Sequence, residues 1–365
     1  MLKIKTIKLQ ELVSKAFKGA SNNKLKPITE LICIKVENNL LTLITTDYDN
    51  YLYITESVES EDFYAVVKVN QFAKLIARLT SEDTILDVAN NSLEIKANGN
   101  YRIPVEVDVN TGKLLKYTDP LSNENIETAK KIGYLTAEDI QTILRALKPA
   151  LATTVAMPEY ANYYLGEGAL ATDSNTASCY GKLMTSTPIL VSPQVMDMLD
   201  VYTGENAIEI REFDSNDRLL FIGDNLTLFG YKMQGADTFA VDKLNDYINT
   251  EYPHKCKISK QELLQALDRL SLFVGEFDDD TVGIAFTQDG LQLSSRQSNS
   301  VETLPYIESA QIEELHSYVY LEMLRSQVKA QTGDAIDLCY GEPNSIKFVD
   351  DASKVTSVVC LVSVG

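Results

Sequence analysis

The chain has 365 residues, 45% hydrophobic and 23% charged, a balance that excludes intrinsic disorder and collagen-like repeats and points to a globular protein of two or three domains. Its 33 Lys and Arg against 52 Asp and Glu leave a formal charge of −19, which taken alone argues against a nucleic-acid partner. No run approaches the roughly 18–20 consecutive apolar residues of a membrane span. Met1-Leu2-Lys3-Ile4-Lys5 lacks an apolar signal core, so a cytoplasmic location without a membrane partner is expected.

In chain order, the first apolar stretch at helical spacing covers 9–17, read as a helix with an acidic first turn. Alternating strands follow at 32–36 and 41–43, then a helical stretch ending in Thr80-Ser81-Glu82 and a hairpin at 85–88 and 93–95. The same series returns as a helix over 138–147, strands at 163–165 and 170–171, a helix ending in Thr203-Gly204-Glu205, and strands at 208–210 and 219–221. It returns again as a helix over 261–270, strands at 282–286 and 291–293, a helix ending in Thr332-Gly333-Asp334, and strands at 336–338 and 346–348. The unit is about a third of the chain, too long for a solenoid repeat. Three α+β domains are therefore expected over 1–122, 123–250 and 251–365, with joints at the polar run Ser122-Asn123-Glu124-Asn125 and at Thr250-Glu251-Tyr252-Pro253.

Catalytic chemistry has little material. The two histidines read as a solvent-exposed loop residue (His254) and a satisfied polar residue at the start of a helix (His316). There is no phosphate-binding glycine loop, and Gly166-Glu167-Gly168 is explained by a tight turn. The acidic clusters Asp47-Tyr48-Asp49 and Phe277-Asp278-Asp279-Asp280 lack the ligand spacing of a calcium loop and read as solvated turns. Cys33, Cys179, Cys256, Cys339 and Cys360 contain no Cys-x-x-Cys pair and read as buried thiols in a reducing compartment.

Charge is unevenly spread. The helical windows sum to a small positive charge on a strongly acidic remainder. At about 100° per residue, Lys8, Lys15 and Lys18 share one side of the first helix, away from Leu9, Val13 and Phe17. Lys74 with Arg78, Arg145 with Lys148, and Arg325 with Lys329 form similar pairs. Each alone is an ordinary solvated face; three domains pointing such helices the same way would make a basic lane that holds phosphates without reading sequence.

At this point the chain resembles a family, the bacterial sliding clamp or β subunit of DNA polymerase III. In the first third, Pro27-Ile28 leads through Leu40-Leu41-Thr42-Leu43 to Thr45-Thr46-Asp47. The second third carries Leu170-Ala171-Thr172-Asp173 and a helix start after Pro188. The last third carries Glu262-Leu263-Leu264-Gln265-Ala266-Leu267-Asp268-Arg269-Leu270-Ser271 and Tyr320-Leu321 with Leu324. The resemblance implies domains with two helices inside and sheets outside, and protomers that close head to tail into a ring around duplex DNA. It implies no catalysis, metal or cofactor.

The implied partners are double-stranded DNA, a second copy as a homodimer, and a replicative polymerase and clamp loader docking by short peptides. The implied DNA-facing residues are Lys8, Lys15, Lys18, Lys24, Lys74, Arg78, Arg145, Lys148, Arg269, Arg325 and Lys329. One wall of the implied peptide cleft would be Thr172, Asp173, Ser174, Asn175, Thr176, Ala177 and Val241. The other would be Ser317, Tyr320, Pro343, Ser345, Cys360, Leu361 and Val362.

The chain departs from the family pattern where Ser174-Asn175-Thr176-Ala177 follows Asp173 in place of Gly-His-Arg-Leu. It departs again where Gly235-Ala236-Asp237-Thr238-Phe239 replaces a Phe-Pro-Asp-Tyr run, and where Val359-Cys360-Leu361-Val362 replaces the usual Met-Pro-Met ending. A divergent or phage-borne clamp, a clamp-like peptide scaffold that no longer encircles DNA, and a hydrolase with carboxylates at Asp278, Asp279 and Asp280 all stay open.

Overall fold

A computed structural model describes residues 1–153, 157–214, 217–274, 280–295, 298, 300–310 and 312–362. Its elements run in a repeated order. The first series is β1 (Leu2–Lys5), α1 (Thr6–Phe17), β2 (Leu31–Glu37), β3 (Leu40–Thr46), β4 (Tyr51–Ser57), β5 (Phe63–Lys68), α2 (Val69–Ile76), β6 (Asp83–Ala89), β7 (Ser92–Lys96) and β8 (Asn100–Pro104). The second is β9 (Lys130–Leu135), α3 (Ala137–Leu147), β10 (Tyr163–Leu165), β11 (Ala169–Thr172), β12 (Thr176–Tyr180), β13 (Ile189–Val191), α4 (Pro193–Leu199), β14 (Ile208–Glu212), β15 (Arg218–Ile222) and β16 (Leu226–Tyr231). After a further helix, α5 (Val241–Asn249), come β17 (His254–Ser259), α6 (Lys260–Leu270), β18 (Thr281–Thr287), β19 (Gly290–Ser295), β20 (Val301–Leu304) and β21 (Glu308–Ala310). The chain then runs through β22 (Leu315–Tyr320), α7 (Leu321–Ala330), β23 (Ala335–Gly341), β24 (Ser345–Asp350) and β25 (Val355–Cys360). The architecture is α+β.

Local chemistry accounts for several of these boundaries. Thr136 and Asp139 cap α3 reciprocally, Asp139 N donating to Thr136 Oγ1 (3.1 Å) and Thr136 N to Asp139 Oδ2 (2.9 Å). At α6, Ser259 Oγ accepts from Glu262 N (3.3 Å). The β2–β3 and β6–β7 hairpins turn through Asn38-Asn39 and Asn90-Asn91, all four at positive φ, as the twist of a two-residue hairpin turn requires. The first helix starts at Thr6, earlier than its apolar pattern indicated, because Thr6 is anchored to the β6 strand through Thr84 Oγ1 (2.8 Å). Glu11 therefore lies in the second turn, and Phe17 is exposed at the end of a helix that buries Leu9, Leu12, Val13 and Ala16.

Two compact units form, each with one long and one short antiparallel sheet. The first, Met1–Ile140 with Gln194–Lys232, holds an eight-stranded sheet of order β5-β2-β3-β4-β16-β15-β14-β9 and a four-stranded sheet β1-β6-β7-β8. The second, Gln141–Pro193 with Met233–Gly365, holds a nine-stranded sheet β13-β10-β11-β12-β25-β24-β23-β17-β21 and a four-stranded sheet β20-β19-β18-β22. Each long sheet is two smaller sheets fused at one seam. Leu52 faces Leu228 across the β4–β16 seam, and Ala177 faces Val358 across the β12–β25 seam. Helices α6 and α7 cover one core with Leu263, Leu267, Leu324 and Val328 against strand residues such as Phe286, Leu293 and Phe348.

Two local expectations change, and a third gains its detail. His254 is not an exposed loop residue: it opens β17, largely buried, with Nε2 2.9 Å from Glu313 Oε2 and its ring against Tyr340. His316 lies inside β22 rather than at a helix start, because the alternating Leu315–Tyr320 run pairs with β18. At Asp47-Tyr48-Asp49 the Asp47 carboxylate is occupied by the chain itself, accepting from Asp49 N, Asn50 N and Asn50 Nδ2 at 2.8–3.0 Å. Asp278 and Asp279 of the other acidic cluster lie outside the described residues. Among the described residues no three His, Cys, Asp or Glu side chains are grouped for a metal, and no helix is long and apolar enough to cross a membrane. All five cysteines are free, and burial pushes Cys33 and Cys256 up to about 12 and Cys179 up to about 11.

Candidate functional site

The hairpin turn between β11 and β12 is built from its own side chains. Thr172 Oγ1 donates to Thr176 O (2.7 Å) and accepts from Ser174 N (3.1 Å). The Asp173 carboxylate accepts from Asn175 N (2.9 Å) and Thr176 N (2.6 Å), and Ser174 takes the left-handed conformation at φ 78°. Burial raises the Asp173 pKa, and those two backbone N–H groups oppose the rise. Cys360 N, at the end of β25, donates to Asn175 O (2.8 Å), so the turn is tied to the neighbouring strand.

This turn is one wall of a cavity of about 190 Å³. Thr172, Ser174, Asn175, Thr176 and Ala177 come from the turn, Val358 and Cys360 from β25, and Tyr160, Ala240, Lys243, Leu244 and Tyr247 from the facing side. The facing wall is placed by a small apolar cluster in which Phe239 stacks on Tyr164 (5.1 Å between centroids) and meets Tyr160 edge-on (5.3 Å). Its volume is below the roughly 300 Å³ at which pockets for whole small ligands begin, so the space suits side chains inserted from a larger partner. Thr176 Oγ1 is buried without a hydrogen-bond partner, and Lys243 is exposed without an ion pair among the described residues.

No family model and no curated protein sequence matches the chain. Solved structures do. The β subunit of DNA polymerase from Streptococcus pyogenes superposes with a TM-score of 0.81 at 15% identity, covering 100% of both chains. A sliding clamp (DNA polymerase III subunit β) from Bartonella birtlesii bound to griselimycin gives 0.82 at 14% identity, over 100% of this chain and 99% of that one. The DNA polymerase sliding clamp from Bacillus subtilis gives 0.78 at 15% identity, again over 100% and 99%. The chain has the sliding-clamp fold.

On this clamp fold the expected cleft residues divide into three groups. Thr172, Ser174, Asn175, Thr176, Ala177 and Cys360 line the cavity, with Asp173 holding the turn from behind. Val241 opens α5 but faces a second, wider hollow of about 640 Å³ bordered by Tyr164, Glu167 and Asp242. Ser317, Tyr320, Pro343, Ser345, Leu361 and Val362 do not line the cavity. Ser317 Oγ donates to Val362 O (3.0 Å), Leu361 N to Asn344 O (3.0 Å), and Ser345 Oγ bonds the Tyr252 hydroxyl (2.6 Å). Tyr320 precedes α7. The α5 wall itself was missed, although Val241, Leu244 and Ile248 recur at helical spacing.

The candidate DNA-facing cations also divide. Lys18, Lys24, Lys74, Arg78, Lys148 and Lys329 are exposed. The other five are engaged locally. Lys8 pairs with Glu56 (2.9 Å), and Lys15 lies between Glu11 (2.7 Å) and Thr203 Oγ1 (2.9 Å). Arg145 Nη1 donates to Ala330 O (2.8 Å) at the end of α7, Arg269 forks onto Glu302, and Arg325 pairs with Asp268 and Glu322.

Proposed function

We propose that the chain is a DNA sliding clamp, a non-catalytic processivity subunit of three domains (1–122, 123–250 and 251–365). It encircles duplex DNA as a head-to-tail homodimer and tethers a polymerase and other cytoplasmic replication partners through the cavity at Thr172–Ala177. The observation that carries the reading is a pattern of strand seams. The β4 strand of the first series pairs with β16, the last strand of the second, and β12 of the second pairs with β25, the last strand of the third. Two strands of the same kinds are left over: β20 of the third series and β8 of the first, each the open edge of a four-stranded sheet.

An open edge is an invitation to pair, and β20 of one copy against β8 of another repeats the existing seam. The contact is heterologous, so it must either close into a ring or run on as a filament; the likeness to the clamps favours closure after two copies. Exposed apolar side chains lie close in sequence to both edges: Val107, Val109 and Leu114 follow β8, Val301 opens β20, and Leu272 and Phe273 follow Arg269, which grips Glu302 of β20. Enclosure makes strong phosphate binding unnecessary, which suits an acidic chain with only scattered exposed cations.

The test is topological. Protomers separated by dilution and re-formed around nicked circular plasmid should stay bound at a salt concentration that removes phosphate-only binding, and should be lost when the plasmid is cut once. Equal release from circular and linear DNA would overturn the reading.

A further inference from the structure

The hairpin turn that walls the cavity is built a second time, between β3 and β4. Thr46 Oγ1 donates to Asn50 O (2.6 Å) and accepts from Tyr48 N (2.9 Å), while Asp47 Oδ1 accepts from Asp49 N (3.0 Å) and Asn50 N (2.8 Å). These are the bonds of Thr172-Asp173-Ser174-Asn175-Thr176, position for position, and Tyr48 at φ 95° stands where Ser174 stands. The surroundings differ. In place of a cavity, the turn presents an exposed ring with Lys26 Nζ 3.6 Å from its centroid.

A second exposed ring lies on the same surface. Tyr231 N donates to Asn50 Oδ1 (3.2 Å), and the Arg218 guanidinium lies 3.5 Å over the Tyr231 ring while its Nη1 donates to Asp49 O (2.6 Å). Lys24, exposed, is two residues before Lys26. None of Lys24, Lys26 and Arg218 has a carboxylate partner among the described residues, on a chain whose formal charge is −19. A bulky residue held at positive φ is disfavoured, and Asn or Gly would fit the backbone better. Fold stability therefore does not explain a tyrosine there.

We propose that Tyr48, Tyr231, Arg218 and Lys26 form a binding surface for single-stranded nucleic acid, separate from the peptide cavity. Bases stack on the tyrosine rings and the guanidinium plane, and the unpaired cations meet the backbone phosphates. An acidic peptide would satisfy the cations, but it would leave two exposed aromatic rings without a role. The surface lies within one compact unit and does not depend on ring closure, so it can hold or fail independently of the clamp reading.

Fluorescence anisotropy with labelled dT12 and a 12-base-pair duplex on the full chain tests it. Tyr48→Asn, which tolerates the positive φ, should weaken dT12 binding at least about fivefold, the lower end for one base–aromatic stack, and leave the duplex unchanged. Tyr48→Phe should stay within about twofold of the wild type. Undetectable dT12 binding by the wild type, an unchanged affinity in Tyr48→Asn with an unaltered melting temperature, or an equal loss on the duplex would each overturn the proposal. So would an oligoglutamate peptide that binds with the same sensitivity to Tyr48→Asn, which would assign the surface to acidic peptides.

Discussion

Thr176 carries a polar atom in the wall of the proposed peptide cavity that costs the free protein stability. Its hydroxyl is buried in the cavity wall with no hydrogen-bond partner, and an orphaned buried hydroxyl costs roughly 1–3 kcal/mol. Valine has nearly the same shape and suits a strand. Thr176→Val should therefore stabilise the chain by about 1 kcal/mol in urea unfolding, and a loss of stability would mean the hydroxyl is satisfied in solution. The cations illustrate what a helical pattern can and cannot reveal. Spacing in α1 correctly groups Lys8 and Lys15 on one side, but their partners Glu56 and Thr203 are far away in sequence. Periodicity reports the direction of a side chain along its own helix and nothing of what approaches from elsewhere.

Elements whose information is local were legible. Helices α1, α3 and α6 carry apolar stripes, α3 and α6 also carry capping residues, and the Asn-Asn hairpins carry their turn chemistry. The seams β4–β16 and β12–β25 were not legible, because a strand's pairing partner is a tertiary choice. The edge strand β20 is held by a contact of the same long-range kind. Arg269 of α6 forks onto Glu302 of β20, and that hydrogen-bonded pairing holds the Glu302 carboxyl below its ordinary 4.5. A depressed carboxyl pKa stabilises the fold above the unfolded value and loses that contribution as pH falls through the folded one. Wild type should melt above Glu302→Gln at pH 7, with the gap constant down to about pH 5 and closing below 4.5. A gap that persists at pH 3 would mean that Glu302 acts through packing rather than charge.

For the molecule as a whole, the open edges β8 and β20 matter more to the proposed ring than the net charge, because they are where a second copy would pair. Leu272 is 80% exposed and lies three residues after Arg269, the residue that grips Glu302 of β20. A carboxylate at Leu272 would cost the isolated chain little, since surface substitutions away from special features stay within about 0.5 kcal/mol. At a seam between copies it would be costly, because a charge buried without a partner is strongly disfavoured. Leu272→Glu should thus keep the wild-type melting temperature at concentrations where both are single chains. In light scattering at micromolar concentration, the wild type should run as two chains of 40.6 kDa each and Leu272→Glu as one. The same variant should lose retention on circular plasmid yet bind dT12 like the wild type, since Tyr48 and Arg218 lie in the other compact unit. A Leu272→Glu protein that still runs as two chains would move the interface away from β20 and remove the seam argument for the ring.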